Sequence, residues 1–251
     1  MSFLLAIFLG MVQGLTEFLP VSSSGHLVLL QKIFGVGEPP IFFMTMVHLG
    51  TLLAVLLFFG GELRREIRES RVSRGIVIGT VPVAAVGFLV QSFFVEKIFG
   101  SLALVGFGFL VTGTLLLWSR KIEKGIKDIK GLKGREALTI GLFQAIAILP
   151  GISRSGATIV GGLSQKLTRE EAFKFSFYLA IPAVIGANVL QLRNLENVNF
   201  LPQSFLGMLV AFLVGLLSLK ILQRVLRSQK LYYFSFYCFL ISLLTFFKIL
   251  F

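Results

Sequence analysis

Apolar residues in this chain come in long blocks rather than alternating with polar ones. Six runs, at about 41–60, 74–94, 101–119, 173–191, 204–222 and 231–250, carry almost no charge. Each is close to the ~20 residues a helix needs to cross a bilayer core. Two further apolar pieces, 2–34 and 136–165, precede the first and fourth runs. A polar loop interrupts each of them, LPVSSSGH at 19–26 and LPGISRSGAT at 149–158. The apolar stretch after the first loop, LVLLQKIF, would make a helix of only about 12 Å, too short to cross. Each interrupted piece therefore predicts a re-entrant hairpin that enters and leaves on one side.

The pattern occurs twice. At an offset of 131 residues the first three runs fall on the last three, and the hairpin loops align without a gap. Gly10 meets Gly141, Gln13 meets Gln144, Ser22 meets Ser153, Ser24 meets Ser155 and Gly25 meets Gly156. The expectation is one membrane domain over 1–251, with repeat one at 1–120 and repeat two at 132–251. Three spans per repeat turn the second copy over. The fold class is thus an all-α integral membrane protein of two inverted-topology repeats, each a re-entrant helical hairpin plus three transmembrane helices. The hairpins then enter from opposite faces and their tips can meet near the midplane. Irregular polar backbone is tolerated there when it is buried in protein or lines a wet cavity.

Composition agrees with membrane residence. Of 251 residues, 55% are hydrophobic and only 14% charged, where a soluble domain carries roughly a quarter. The N-terminus is not expected to be a cleavable signal peptide, because no basic segment and no small-residue cleavage site precede Pro20. The single cysteine, Cys238, excludes an intrachain disulfide and a cysteine metal cluster. The net charge of +12 raises the question of nucleic acid, but its distribution argues against such a partner. Basic residues sit in blocks between runs: Arg64, Arg65, Arg68, Arg71 and Arg74, then seven between Arg120 and Arg135, then Lys220, Arg224, Arg227 and Lys230. Placing these blocks on the cytoplasmic side satisfies the positive-inside bias throughout. The loops near Lys97 and Arg193, and both termini, then lie outside.

Away from loops and span ends, the membrane segments hold only two charges, Glu17 and Arg154, and charges at such depth are functional by default. Gln13 and Glu17 share one helix face. Ser22–Ser23–Ser24–Gly25 and Ser153–Arg154–Ser155–Gly156 each open a short helix. Helix N-termini are anion sites, and a guanidinium fork matches phosphate oxygens. Two such termini and Arg154 would hold a phosphate or diphosphate. Glu17 suits a base, a proton store or a divalent-metal ligand. Ser23, Ser24 and His26 are candidate nucleophiles, with His26 also a candidate acid or base. Competing structural readings exist: Glu17 and Arg154 as a plain ion pair, Ser22, Ser153 and Ser155 as plain caps, His26 as an interfacial residue. His48, between Thr45 and Thr51, reads as a helix–helix hydrogen-bond partner. Gln13 and Gln144 read as satisfying loop backbone or touching a polar substrate group.

The segments QGLTEFLPVSSSGH and PGISRSGAT resemble the two motifs of the undecaprenyl-diphosphate phosphatases of the bacitracin-resistance type, in order and over essentially the whole chain. Gln13 stands where the family has Glu or Gln. The resemblance implies a membrane phosphatase that converts undecaprenyl diphosphate to undecaprenyl phosphate and inorganic phosphate, recycling the cell-wall lipid carrier. It implies catalytic roles for Glu17, Ser23, His26 and Arg154. Substrate contacts are expected at Gln13, Ser22, Ser24, Gly25, Ser153, Ser155, Gly156 and Thr158. It also implies a divalent cation, Mg²⁺ or Ca²⁺, for which Glu17 is the candidate ligand, and a polyprenyl diphosphate in the bacterial plasma membrane. The topology, in which the outer hairpin carries Glu17, Ser23 and His26, predicts a site that faces outward. A homodimer is left open. Ser23, His26 and an activated water remain alternatives as the attacking group. SGH also resembles the type-2 phosphatidic acid phosphatases, but this chain lacks their second histidine. A lipid-phosphate transporter or flippase is the alternative of another class; it needs the anion cradle but not Ser, His and Glu beside it.

Overall fold

The computed structural model describes residues 1–35, 37, 39–93, 101–193 and 202–250. Among them the chain is helical, with no strand beyond an isolated Lys127–Leu167 bridge. In chain order the helices are α1 Phe3–Thr16, α2 Ser23–Phe34, α3 Ile41–Glu66, α4 Ser70–Phe93, α5 Leu102–Trp118, α6 Gly134–Ile146, α7 Arg154–Ser164, α8 Arg169–Arg193, α9 Pro202–Arg227 and α10 Tyr233–Leu250. A short 3₁₀ turn, Ile129–Gly131, precedes α6.

Among the described residues five helices are long and apolar enough to cross a membrane: Ile41–Glu66, Ser70–Val90, Arg169–Leu192, Pro202–Arg227 and Tyr233–Leu250. The third expected span, 101–119, forms α5 with only 17 residues, about 26 Å of helix. Ser119 ends it, its hydroxyl donating to the Leu116 carbonyl at 2.6 Å, and a turn through Arg120 and Lys121 follows. Leu57, Val77, Phe107, Leu213 and Leu243 stand more than half exposed on their helices, as expected where the solvent is lipid.

Small residues set the helix pairings, since close backbone approach replaces the hydrophobic drive inside a bilayer. Helix α1 lies on α9 with Gly10 against the Gly207 backbone and Gly14 against Ala211. Helix α6 lies on α4 with Gly141 against the backbone of Gly79. Helices α3 and α9 pack where Gly50 meets Met208, and α5 packs on α10. Phe18, Phe59, Phe173 and Phe177 pack at the centre with ring centroids 5.0–5.7 Å apart, edge to face or tilted except for the stacked Phe59–Phe177 pair.

The basic segments converge on one end of the bundle. There Lys174 of α8 binds Glu171 at 2.6 Å, Glu66 of α3 at 3.1 Å and Glu62 at 3.7 Å, and the Tyr178 hydroxyl donates to Glu66 at 2.7 Å. The Ile129 amide donates to Glu171, Lys130 reaches Glu69, and Arg227 of α9 binds Glu170. The arginine block after α3, the 120–135 segment, the start of α8 and the end of α9 therefore share a face. Lys97, expected at the opposite face, lies outside the described residues.

Candidate active site

Helix α1 ends at Thr16, and residues 17–22 form the first loop. Ser22 then starts α2 from a left-handed backbone, φ 66°. That conformation is unfavourable for serine, and two hydrogen bonds hold it: the Ser22 hydroxyl accepts from its own helix at Gly25, 3.3 Å, and from Gly151 in the second loop, 3.1 Å. The second loop is fixed from α5. Thr112 donates to the Gly151 carbonyl at 2.8 Å and accepts from the Ser153 amide at 2.9 Å. Gly151 has φ 90°, and a Cβ there would run into the Val105 carbonyl. Ser153 caps α7 by accepting from Gly156 at 3.1 Å. The two loops are thus stitched together, and the N-termini of α2 and α7 meet.

At this junction Arg154 Nη2 donates to Glu17 Oε1, with both side chains mostly buried. The other carboxylate oxygen of Glu17 accepts from Ser23 Oγ at 2.8 Å and from Gln13 Nε2 at 3.2 Å. The Arg154 guanidinium also lies over the Phe177 ring, 5.9 Å from its centroid. Its Nη1 is buried without a partner.

The Glu17–Arg154 pair is the wall between two cavities. The smaller, about 60 Å³, is lined by Thr16, Ser22, Ser23, Ser24, Ile152 and Ser153 together with the pair. The larger, about 170 Å³, extends along the halves of α3 and α8 remote from the basic end, past His48, Gln144, Asn188 and Gln191. A serine whose hydroxyl already donates to a carboxylate, beside a cation and two helix N-termini, is equipped for nucleophilic attack on an anionic phosphorus centre.

The candidate residues are not all brought together. Glu17, Ser23 and Arg154 meet; His26 stands apart. Its Nδ1 bonds the Ser22 carbonyl at 2.7 Å and its Nε2 the Tyr237 hydroxyl at 2.6 Å, and it lines neither cavity. Ser22, Ser24 and Ser153 line the smaller cavity, while Gln13 sits behind Glu17. Gly25 is pressed against Phe109 and Gly151, and Gly156 against Pro20. Ser155 bonds Ser153 at 3.1 Å, and Thr158 is fully buried, bonded to the Arg154 carbonyl and to Ser176. These last four support the loops from behind.

His48 does not form the helix–helix bond expected of it. Its Nδ1 donates within α3, to the Met44 carbonyl at 2.8 Å, and the ring lines the larger cavity. Gln144 satisfies no loop backbone, both amide atoms being unpartnered. Asn188 and Gln191 were not among the candidates. Their signal was two amides three residues apart, hence on one face of an otherwise apolar span.

Glu17 is the one carboxylate lining either cavity, and it is already engaged by Arg154, Ser23 and Gln13. Among the described residues no cluster of three metal-ligating side chains occurs. The protein groups present do not build a divalent-cation cage, which requires several oxygen ligands.

Fold and site together define a multi-pass helical membrane protein with a buried serine–carboxylate–arginine centre. The chain belongs to the bacitracin resistance protein BacA family, whose model matches residues 6–244. It is 43% identical over 246 residues to the undecaprenyl-diphosphatase of Carboxydothermus hydrogenoformans, covering 94% of each chain. It is 44% identical over 250 residues to that of Thermosipho africanus, covering 96% of this chain and 98% of the relative. The relative of the same description in Methanococcus maripaludis is 39% identical over 244 residues, covering 94% and 96%.

Proposed function

We propose that this membrane protein is an undecaprenyl-diphosphate phosphatase, a hydrolase that releases inorganic phosphate from the lipid and returns undecaprenyl phosphate. The observation that carries the reading is the Ser23 hydroxyl donating to Glu17 at 2.8 Å in a cavity that Arg154 also lines. The terminal phosphate enters the serine-lined cavity. Arg154 and the first N–H groups of α2 and α7 neutralise its oxygens, the main requirement of phosphoryl transfer. Glu17 takes the Ser23 proton as Oγ attacks phosphorus, the bond to the bridging oxygen breaks, and lipid phosphate leaves. Glu17 passes that proton to the former bridging oxygen of the departing lipid phosphate. Water then attacks the phosphoserine; Glu17 accepts its proton and returns it to Ser23 Oγ as the Oγ–phosphorus bond breaks and inorganic phosphate departs. Both nitrogens of His26 are engaged elsewhere, which favours Ser23 as attacker and gives His26 the task of bracing the loop. A divalent cation would add only to the neutralisation of phosphate charge that Arg154 and the helix N–H groups already provide.

The architecture of the same proposal is two inverted repeats, 1–120 and 132–251, in a bacterial plasma membrane. Hairpins α1–α2 and α6–α7 are re-entrant, and both cavities are completed by a single chain. Matched packing supports this: Gly10 on α9 near Gly207 and Val210 corresponds, at the repeat offset, to Gly141 on α4 at Gly79. A transporter would have no use for a serine bonded to a carboxylate. Phosphate release from undecaprenyl diphosphate by purified protein tests the function. Wild type turns over and Ser23→Ala, equally folded, does not; comparable rates for the two would remove Ser23 from the reaction.

A further inference from the structure

Placing the terminal phosphate among the serines leaves the second phosphate of a lipid diphosphate across the Glu17–Arg154 wall, in the larger cavity. That cavity holds polar groups without partners. Gln144 is 1% exposed, yet neither its amide oxygen nor its amide nitrogen has a hydrogen-bond partner. Arg154, which lines both cavities, keeps Nη1 buried and unpaired. Buried amides and guanidinium groups are almost always satisfied, because leaving them bare is costly. Two orphan donors on residues that line the same cavity therefore point to an acceptor that arrives with a ligand. His48 commits Nδ1 to the Met44 carbonyl, leaving Nε2 to the cavity, and Asn188 lines it from α8. The remaining wall is apolar, with Val83, Ile148 and Val184.

We infer that the larger cavity is the subsite for the lipid-side phosphate. Gln144 and Arg154 act as its donors, and the apolar wall takes the first carbons of the polyprenyl chain. The inference rests on the phosphatase reading and deepens it. Cleavage of the anhydride leaves negative charge on the former bridging oxygen, which belongs to this phosphate. Donors here therefore hold both the leaving group and the lipid product. Gln144 is a substrate-positioning residue, distinct from the attacking centre.

The subsite separates the two products. Inorganic phosphate belongs to the serine cavity, a prenyl phosphate to the larger one. In Gln144→Leu, kcat/KM for farnesyl diphosphate should fall about ten- to hundredfold, the worth of a hydrogen bond to a charged group. The inhibition constant of farnesyl phosphate should rise by a similar factor, while that of inorganic phosphate stays within about twofold. Gln144→Glu keeps the shape and volume while facing the phosphate with a carboxylate. It should show the same pattern more strongly, and it serves if the leucine variant fails to fold. Unchanged inhibition by farnesyl phosphate, or equal weakening of both inhibitors, overturns the subsite while leaving the phosphatase reading intact. A wild-type protein that releases no phosphate from prenyl diphosphates takes both down.

Discussion

At the scale of residues, the centre depends on how one carboxylate divides its two oxygens. Arg154 holds one, while Ser23 and Gln13 share the other. Burying an ion pair gains little by itself and is costly to break, so its placement at a hydroxyl is what links it to chemistry. Arg154→Lys keeps the charge but loses the planar fork that can serve Glu17 and a phosphate together. Turnover should fall at least about a hundredfold, the usual cost of losing an oriented donor in the transition state. Phosphate release by protein with an unchanged melting temperature measures this. Tyr237→Phe separates bracing from catalysis, because it removes only the partner of His26 Nε2. Its activity should stay within about tenfold of wild type, the loss of one neutral hydrogen bond, and a total loss would return His26 to the chemistry. Glu17 and Arg154 were legible in the sequence as isolated charges in apolar runs, and Ser23 as part of a serine-rich loop. The engagement of His26 was not legible, since its partner lies 211 positions away. Nor was the cavity face of His48, which a helical wheel without neighbours does not reveal.

Among elements, the loops are held by side chains of other helices more than by themselves. Thr112 of α5 supports the second loop, and Ser22 ties the first loop to the second. The two helix-breaking loops were readable because polar residues interrupt apolar runs, but their mutual stitching required the tertiary packing. The span count was readable to within α5, whose length depends on where Ser119 stops the helix. The network around Lys174 escaped the sequence reading altogether, because nothing along the chain joins Glu62 and Glu66 to Glu171, more than 100 positions away. In the fold they gather on one ammonium and join α3 to α8. Lys174→Met leaves those carboxylates facing one another without their cation. Partial exposure softens the penalty below the ~3–5 kcal/mol of a fully buried broken pair, so a loss of about 1–3 kcal/mol is expected. Thermal denaturation in detergent measures it, and Glu62→Gln, farther from the ammonium and half exposed, should cost clearly less.

For the whole molecule, the basic face and the larger cavity lie at opposite ends of the same helices. Along α8, Lys174 and Gln191 are about 26 Å apart by helical rise, close to the thickness of a bilayer core. With the basic face cytoplasmic, as the positive-inside bias orients it, the cavity would open outward. An outward cavity lets a diphosphate head reach the centre without its charge crossing hydrocarbon, which would be prohibitive. Single cysteines read this directly. Cys238 is buried, its thiol directed at the Pro20 carbonyl, so Cys238→Ser supplies a background of similar shape. In that background Ile126→Cys marks the basic face at a position 89% exposed, and Gln191→Cys marks the cavity. An impermeant thiol reagent applied to intact cells should label position 191 and spare 126; opened cells should label both. Bound prenyl diphosphate should protect 191 alone. Labelling of 126 without 191 in intact cells would invert the molecule and place the site on the cytoplasmic side. Labelling of 191 from either side in sealed, oriented vesicles, suppressed by the lipid, would mean that the cavity alternates between faces and that the protein also moves its product across the membrane.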